Sequence, residues 1–232
     1  MKKTISTALS GIIILATACN EESKTISTNQ TSTTVTKYQP KVQYGSPIIV
    51  NKTNILLYPL KLNRNDDSDS YKREANTNHW NFIFYNITSG KSELLTKERI
   101  IINSFNIGNA EKGSNHQATL SDQFIYYNIT DSDYDGDQKL TSKDPHKLYL
   151  SNLEGKSFTR ISPNNYNLGS WEIDDQHDLI LMDLIKDVNG DKEFNEKDEV
   201  EYFIYNLKTG IIKAVFDQKF KDEVKNLAKK VL

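Results

Sequence analysis

Residues 201–210 read Glu-Tyr-Phe-Ile-Tyr-Asn-Leu-Lys-Thr-Gly, and this stretch decides how the rest of the chain is interpreted. An apolar and aromatic run leads to an asparagine, then a leucine, then a turn that contains glycine. Aromatic and β-branched residues favour strands, whereas asparagine and glycine favour tight turns. A second apolar run follows at residues 211–216. The pattern therefore predicts a β-hairpin.

The same pattern occurs twice more, as Asn-Phe-Ile-Phe-Tyr-Asn-Ile-Thr-Ser-Gly-Lys at 81–91 and Lys-Leu-Tyr-Leu-Ser-Asn-Leu-Glu-Gly-Lys at 147–156. An apolar strand precedes each of the three hairpins, and an acidic insert joins each of these strands to its hairpin. These preceding strands are predicted at residues 55–58, 124–127 and 179–182. Candidate fourth strands lie near 100–105 and 166–173. A strand-and-hairpin pattern that recurs three times along the chain indicates a repeat fold.

Sheets of about four strands repeated in this way resemble the blades of β-propellers. The hairpin sequence Tyr-Asn-Leu-Lys-Thr-Gly looks like those of TolB-like propellers, over roughly residues 48–216. The resemblance implies an all-β fold of antiparallel sheet repeats that forms a partial propeller. Propellers have about four to eight blades, and three repeats are visible. Residues 38–50 could complete a fourth blade, the sheets could form an open stack, or a ring could close on oligomerisation.

The last part of the chain, residues 217–232, changes period. Phe220, Val224, Leu227 and Val231 stand at helical spacing. We expect one short amphipathic helix that packs on the last sheet and covers an exposed edge.

Two of the acidic inserts, residues 133–144 and 187–198, align without gaps as D-x-[DN]-G-D-x-x-[LF]-x-x-K-D. They resemble the twelve-residue calcium loop of EF-hands and dockerins. Calcium takes about six to eight oxygen ligands, which alternate residues of a tight loop can supply. The ligands that the resemblance implies are Asp133, Asp135, Asp137, the Lys139 carbonyl, Thr141 and Asp144 in the first loop, and Asp187, Asn189, Asp191, the Glu193 carbonyl, Asn195 and Asp198 in the second.

The loops depart from the EF-hand pattern in two ways. Position 6, usually glycine, is Gln138 or Lys192, and a left-handed backbone there costs a non-glycine residue about 1 kcal/mol. Position 12 is Asp rather than Glu, which predicts modest affinity. The apolar residue at position 8, Leu140 or Phe194, is expected to anchor each loop to the core. The flanks look like strands, so only the loop is carried over, without the EF-hand fold or the cohesin partner of dockerins.

Three points of this calcium hypothesis stay open. The first insert could begin at Asp131, a register that the second insert cannot follow. Both inserts could be solvated acidic turns, because Asp, Asn and Gly are turn formers. The first repeat carries a degenerate third insert, whose candidate ligands are Asn63, Asn65, Asp67 and Glu74.

The N-terminus combines Lys2 and Lys3, an apolar run at residues 11–16, and the sequence Leu-Ala-Thr-Ala-Cys at 15–19. It resembles the lipobox of bacterial lipoproteins, with Ala16 where Leu is commonest. The resemblance implies a signal peptide at 1–18 and a lipid on Cys19, the only cysteine. An ordinary signal peptide with an incidental cysteine is the alternative.

This N-terminal resemblance sets the domain organisation. Residues 19–37 lack an apolar period, so we expect a flexible tether, or alternatively a Thr-rich edge strand, before a domain at 38–232.

The composition bounds the function. The net charge is −2 with no concentrated basic footprint, so we expect no nucleic-acid partner. The four histidines are far apart in the sequence, and no catalytic motif stands out. We therefore expect a non-enzymatic lipoprotein of the cell envelope, outside the cytoplasm, whose calcium-binding repeat domain binds a protein or a glycan. The alternatives are an envelope hydrolase or lyase with a site between sheets, and a purely structural component.

Overall fold

The computed structural model describes residues 41–62, 78–108 and 118–231, which belong to one compact unit, Gln39–Leu232. The predicted signal peptide, Cys19, the tether at 19–37 and the degenerate insert with Asn63, Asn65, Asp67 and Glu74 lie outside these residues. Within the described ranges, no helix is long and apolar enough to cross a membrane.

The first sheet contains the N-terminal strands. Its members are β1 (Val42–Tyr44), β2 (Ile48–Val50), β3 (Ile55–Leu62), β4 (Asn81–Asn86) and β5 (Ser92–Leu94). Both β1 and β2 pair with β3, so residues 42–50 extend the first sheet and do not start a fourth one. The idea that this segment completes a separate blade is therefore wrong.

The second and third sheets are simple antiparallel meanders. The second runs in the order β6 (Ile101–Ile107), β7 (Phe124–Thr130), β8 (His146–Asn152) and β9 (Thr159–Arg160). The third runs in the order β10 (Asn167–Asp174), β11 (Leu179–Lys186), β12 (Glu199–Asn206) and β13 (Ile211–Ala214). The prediction of an all-β fold of antiparallel repeats is confirmed, with three propeller-like sheets in the described part of the chain.

The repeated asparagine and glycine have a structural reason. The side-chain oxygen of Asn206 accepts hydrogen bonds from the backbone N–H groups of Lys208 (3.0 Å) and Thr209 (2.9 Å). Asn86 accepts from the equivalent N–H groups of its own turn, and Asn152 accepts from those of Glu154 and Lys156. Gly155 adopts a left-handed backbone with φ +76°, which costs glycine nothing. The sequence pattern is therefore the chemistry of the hairpin turn.

Two apolar layers join the three sheets. The layer between the first and second sheets includes Leu57, Phe82 and Ile125, each fully buried. The layer between the second and third sheets includes Tyr126 and Met182. Successive residues of β7 thus face opposite layers, which explains why this strand is apolar throughout. The second sheet is the centre of the stack.

Polar contacts also tie the second sheet to the segment that leads into the third sheet. Lys147 is 1% exposed, and its ammonium donates to the carbonyls of Asn164 (2.6 Å) and Tyr166. Burial lowers the pKa of Lys147 to about 8; nearby Asp131 acts to raise it and Arg160 to lower it. The buried ammonium is stabilised by these carbonyls but costs desolvation.

The predicted C-terminal helix is present as α1 (Gln218–Ala228), and the side chain of Asp217 caps it by accepting from the N–H of Phe220 at 2.8 Å. The helix contacts the third sheet through ion pairs such as Lys225–Glu199 (2.8 Å). None of its residues is buried, and Phe220 remains 48% exposed. The helix therefore contacts β12 of the third sheet, as expected, but it covers the sheet only in part and leaves its own apolar residues about half exposed.

The contact between the first two sheets can be tested at Gly155. A Cβ there would lie 2.5 Å from the ring of Phe84, whereas a Cβ at Gly90 would meet nothing within 4 Å. Both glycines have positive φ, so both alanine variants carry similar backbone strain. We expect Gly155→Ala to lower the free energy of unfolding by about 1–3 kcal/mol more than Gly90→Ala, in urea titrations. Equal losses in the two variants would contradict this packing.

The buried lysine predicts a pH dependence. Between pH 8 and 10.5 the unfolded chain binds more protons at Lys147 than the folded chain does, so its contribution to stability rises with pH. We expect the free energy of unfolding of the wild type to rise relative to that of Lys147→Met across this range. Denaturant titrations at pH 7, 8.5 and 10 measure the difference in free energy of unfolding between the two proteins. The contributions of the other titrating groups largely cancel in this difference. A constant difference would contradict a lysine with a lowered pKa.

Candidate metal centre

The two acidic loops occupy the same place in their repeats. The first, residues 133–144, joins β7 to β8, and the second, residues 187–198, joins β11 to β12. Each loop therefore connects the two central strands of its four-stranded sheet. The two inserts that align in the sequence therefore occupy equivalent positions in their sheets.

The first three ligand positions of each loop accept hydrogen bonds from the loop backbone. The two carboxylate oxygens of Asp133 accept from the N–H groups of Gly136 and Gln138, both at 2.7 Å. Asp187 accepts in the same way from Gly190 (2.6 Å) and Lys192 (3.1 Å). Positions 3 and 5 each accept from the N–H two residues further on, in both loops. One hydrogen-bond pattern thus builds both loops.

The last position closes each loop. One oxygen of Asp144 accepts from the N–H of Tyr134 (2.7 Å) and the other from that of Thr141 (2.8 Å). Asp198 accepts equivalently from Val188 (3.2 Å) and from position 9 of its own loop (3.0 Å). Asp144 is 2% exposed, so its carboxylate depends on these bonds. The aspartate at position 12 holds the ends of the loop together.

The backbone at position 6 is left-handed, as the comparison with EF-hand loops predicts. Gln138 has φ +67° and Lys192 has φ +65°. Each non-glycine residue in this conformation costs about 1 kcal/mol, which the hydrogen bonds of the loop offset. The glycine at position 4 is also left-handed, at φ +87° in the first loop. The loop conformation is therefore specified by the side chains at positions 1, 3, 5 and 12.

Three carboxylates converge in the first loop. Asp133, Asp135 and Asp137 each offer one oxygen, and these oxygens lie within 4.8 Å of one another. In the second loop the middle position is Asn189, whose amide donates to Asp191 at 2.9 Å. Carboxylate and amide oxygens are ligands that suit hard cations such as calcium. The residues present fit such an ion, and the predicted ligands Thr141, Asn195 and the Lys139 and Glu193 carbonyls belong to the same loops.

The hydrogen bonds set the charge of the loops. Partial burial acts to raise the pKa of Asp133, but bonds from the N–H groups of Gly136 and Gln138 outweigh it and lower the pKa. The pKa of Asp187 is lowered in the same way, against desolvation, by Gly190, the Tyr134 hydroxyl and Lys192. Both carboxylates are thus held in the anionic form that a cation requires.

The structure places the two loops against each other, although they are far apart in the sequence. The hydroxyl of Tyr134 donates to Asp187 at 3.0 Å, which links the first loop to position 1 of the second. The ring of Tyr134 packs against that of Phe194, with centroids 5.3 Å apart. Phe194 was expected to anchor its loop in the core and instead makes this contact, whereas Leu140 is buried as expected, at 7% exposure. Position 2 carried no sequence signal that would have revealed the role of Tyr134.

A cleft of about 510 Å³ opens beside the paired loops. Its lining includes Asp135 and Asp144 of the first loop, Asp191 and Phe194 of the second, and His146 at the start of β8. The lining is mixed in charge, since Lys143 and Lys192 also reach it. The cleft is the polar concave surface that the acidic loops create together.

The described histidines lie in three different parts of the fold. His79 is 8% exposed and packs against Phe82 and Phe105, so it belongs to the core. His177 lies in the β10–β11 turn and bonds to Asp174 at 2.7 Å. His146 starts β8, and His116 lies outside the described residues. None of the three described histidines joins the carboxylate cluster of the first loop.

Comparison with known proteins gives little beyond this geometry. No protein-family model matches the chain, and no curated protein matches it. Among solved structures, the chain is similar to that of a putative TolB from Agrobacterium tumefaciens, with 15% identity and a TM-score of 0.31. The match covers 59% of this chain and 41% of that one, so the chain spans less than half of the neighbour's length. A TolB structure is among the neighbours, as the hairpins suggested, but a likeness this slight carries no argument about function.

The contact between the loops predicts a coupled titration. Replacing Tyr134 with Phe removes the hydroxyl that donates to Asp187, so the pKa of Asp187 should rise towards its ordinary value. The pKa of Asp133, whose partners are all in its own loop, should stay unchanged. Carboxyl NMR titrations of wild type and Tyr134→Phe measure both. An unchanged pKa at Asp187 would contradict the contact between the loops.

Proposed function

We propose that this chain is a lipid-anchored protein of the bacterial cell envelope whose repeat domain binds calcium through its two acidic loops and acts as a non-enzymatic binding module. The observation that supports this most is the identical hydrogen-bond pattern of loops 133–144 and 187–198. Turn residues alone do not require two distant inserts to share every ligand position and the same left-handed position 6.

The ion ligands in this proposal are the side chains at positions 1, 3 and 5, the carbonyl at position 7 and water. In the first loop these are Asp133, Asp135, Asp137 and the carbonyl of Lys139. Asp144 and Asp198 keep the loops closed through the backbone N–H groups that donate to them. Positions 9 and 12 are additional candidate ligands in this proposal. The donors are all hard oxygens, which favours calcium over zinc or copper.

Calcium would relieve a charge problem. The three carboxylates of the first loop lie within 4.8 Å of one another, and at such distances like charges repel strongly unless a cation neutralises them. Because Tyr134 connects the first loop to Asp187, ordering one loop also supports the other. Bound calcium would thereby fix the shape of the cleft between them.

The cleft is the place where we propose that a partner binds. Its lining combines carboxylates, two lysines, His146 and the ring of Phe194, which suits a polar ligand such as a glycan or a loop of an envelope protein. The lipid on Cys19 and the tether at 19–37 would hold this surface near the membrane without fixing its orientation.

The first test is thermal unfolding of the full chain, in mild detergent, with calcium and then with excess chelator. Calcium at about 100 times its dissociation constant should add roughly 2.7 kcal/mol per occupied site to the free energy of unfolding, and this raises Tm. The double variant Asp133→Ala, Asp187→Ala should lose this shift. The matched control, Glu154→Ala with Glu172→Ala, removes two acidic residues outside the loops and should keep it.

The outcomes separate the hypotheses. A calcium shift that survives in the loop variant would place the ion elsewhere. The absence of any shift in the wild type would reduce the loops to acidic turns and overturn the calcium proposal.

A further inference from the structure

The three repeats allow each sheet face to be compared with its equivalents. We call the face of a sheet that is turned towards the next sheet along the chain its forward face, and the opposite one its backward face. The hairpin asparagines, Asn86, Asn152 and Asn206, align the repeats, because each one pairs with the first residue of the preceding strand.

The forward face is buried wherever a following sheet exists. Two residues before the asparagine stand Phe84, Leu150 and Ile204. Phe84 is 3% exposed and Leu150 is 5% exposed, since each packs into a layer against the next sheet. Ile204, on the forward face of the third sheet, is only partly buried. Among the described residues, no further sheet packs there.

The residue four places before the hairpin asparagine shows the same difference in exposure between the sheets. Phe82 and Leu148 are fully buried at 0% exposure, whereas Tyr202 of the third sheet is 46% exposed. Ile211 of β13, which pairs with Asn206, is 62% exposed, and it lines a groove together with Ile204. The third sheet thus carries the apolar forward positions of the repeat without the cover that the other two have.

The backward face shows the complementary difference at the other end. The residue after the asparagine is Ile87, Leu153 or Leu207. Leu207 is 8% exposed and Leu153 packs into the layer between the first two sheets, but Ile87 is 54% exposed. On the preceding strand, Ile125 and Ile180 are fully buried, and their equivalent Leu56 is only partly so. The first sheet therefore presents an uncovered backward face.

We propose that a second copy of this chain covers both faces. The forward face of the third sheet in one protomer would pack on the backward face of the first sheet in its partner, as the sheets already pack within the chain. Two such contacts, related by a two-fold axis, close a ring of six sheets and leave neither face exposed. A ring of six lies within the usual range for propellers, of about four to eight blades.

A second copy is favoured over an unrelated partner because the fit is already present in the molecule. The forward faces of the first two sheets bury the same positions against backward faces of this repeat, at two internal interfaces. The groove of about 310 Å³ between α1 and β12, which includes Tyr202, Phe220 and Val224, extends the apolar surface that a partner sheet would contact. This inference does not depend on calcium.

Light scattering of the full chain in mild detergent, with the detergent contribution subtracted, tests the proposal. The expected protein mass is that of two chains. Ile211→Lys on the forward face and Ile87→Lys on the backward face should each give the mass of one chain, because a lysine cannot be buried there unpaired. Val188→Lys, at a residue that is 50% exposed and on neither face, is the matched control and should stay dimeric.

Variants on the two faces distinguish the forward-to-backward ring from other arrangements of the chains. A monomeric wild type would overturn the proposal. So would a dimer that Ile211→Lys breaks and Ile87→Lys leaves intact, because that result means that forward faces meet each other. Circular dichroism checks that each variant is folded, and Leu94→Lys, at a 48% exposed residue paired with Ile83, repeats the backward-face test if Ile87→Lys does not fold.

Discussion

Face-to-face packing of apolar sheet surfaces is the constraint on which the rest of the structure depends. β7 shows it most clearly, because Ile125 and Tyr127 enter one layer while Tyr126 enters the other, and all three are fully buried. Each sheet alone would expose an apolar face to water, so no repeat is stable without a neighbour. The layers fix the positions of the strands, and the strands fix the positions of the loops at their ends.

The acidic loops depend on this packing for their proximity. Both loops join the second and third strands of their sheets, so stacking the sheets brings the loops together. Tyr134 then reaches Asp187, and its ring meets Phe194. A cation in one loop would therefore affect a surface formed by both. The link from sheet packing to the cleft is geometric, and the chemistry of the cleft comes from the loop side chains.

The same packing explains why the ends of the stack differ from its middle. Equivalent positions are buried inside the stack and exposed at its ends, as Leu207 and Ile87 show with 8% and 54% exposure. Apolar surface of this kind is a feature of proteins that assemble. The C-terminal helix reduces the exposed area only in part, since its own apolar residues stay about half exposed.

The sequence by itself determined the local structure. Alternating apolar residues, the hairpin asparagine with its glycine, the helical spacing of residues 217–232 and the gap-free alignment of the two acidic inserts all depend on contacts within a few residues. The strands, the turns, α1 and the left-handed position 6 could therefore be predicted. Tertiary structure alone decided that residues 42–50 join the first sheet, that His79 and Lys147 are buried, and that Phe194 packs on Tyr134 and not in the core. These features depend on contacts between residues far apart in the chain, and a single sequence does not show which distant surfaces meet.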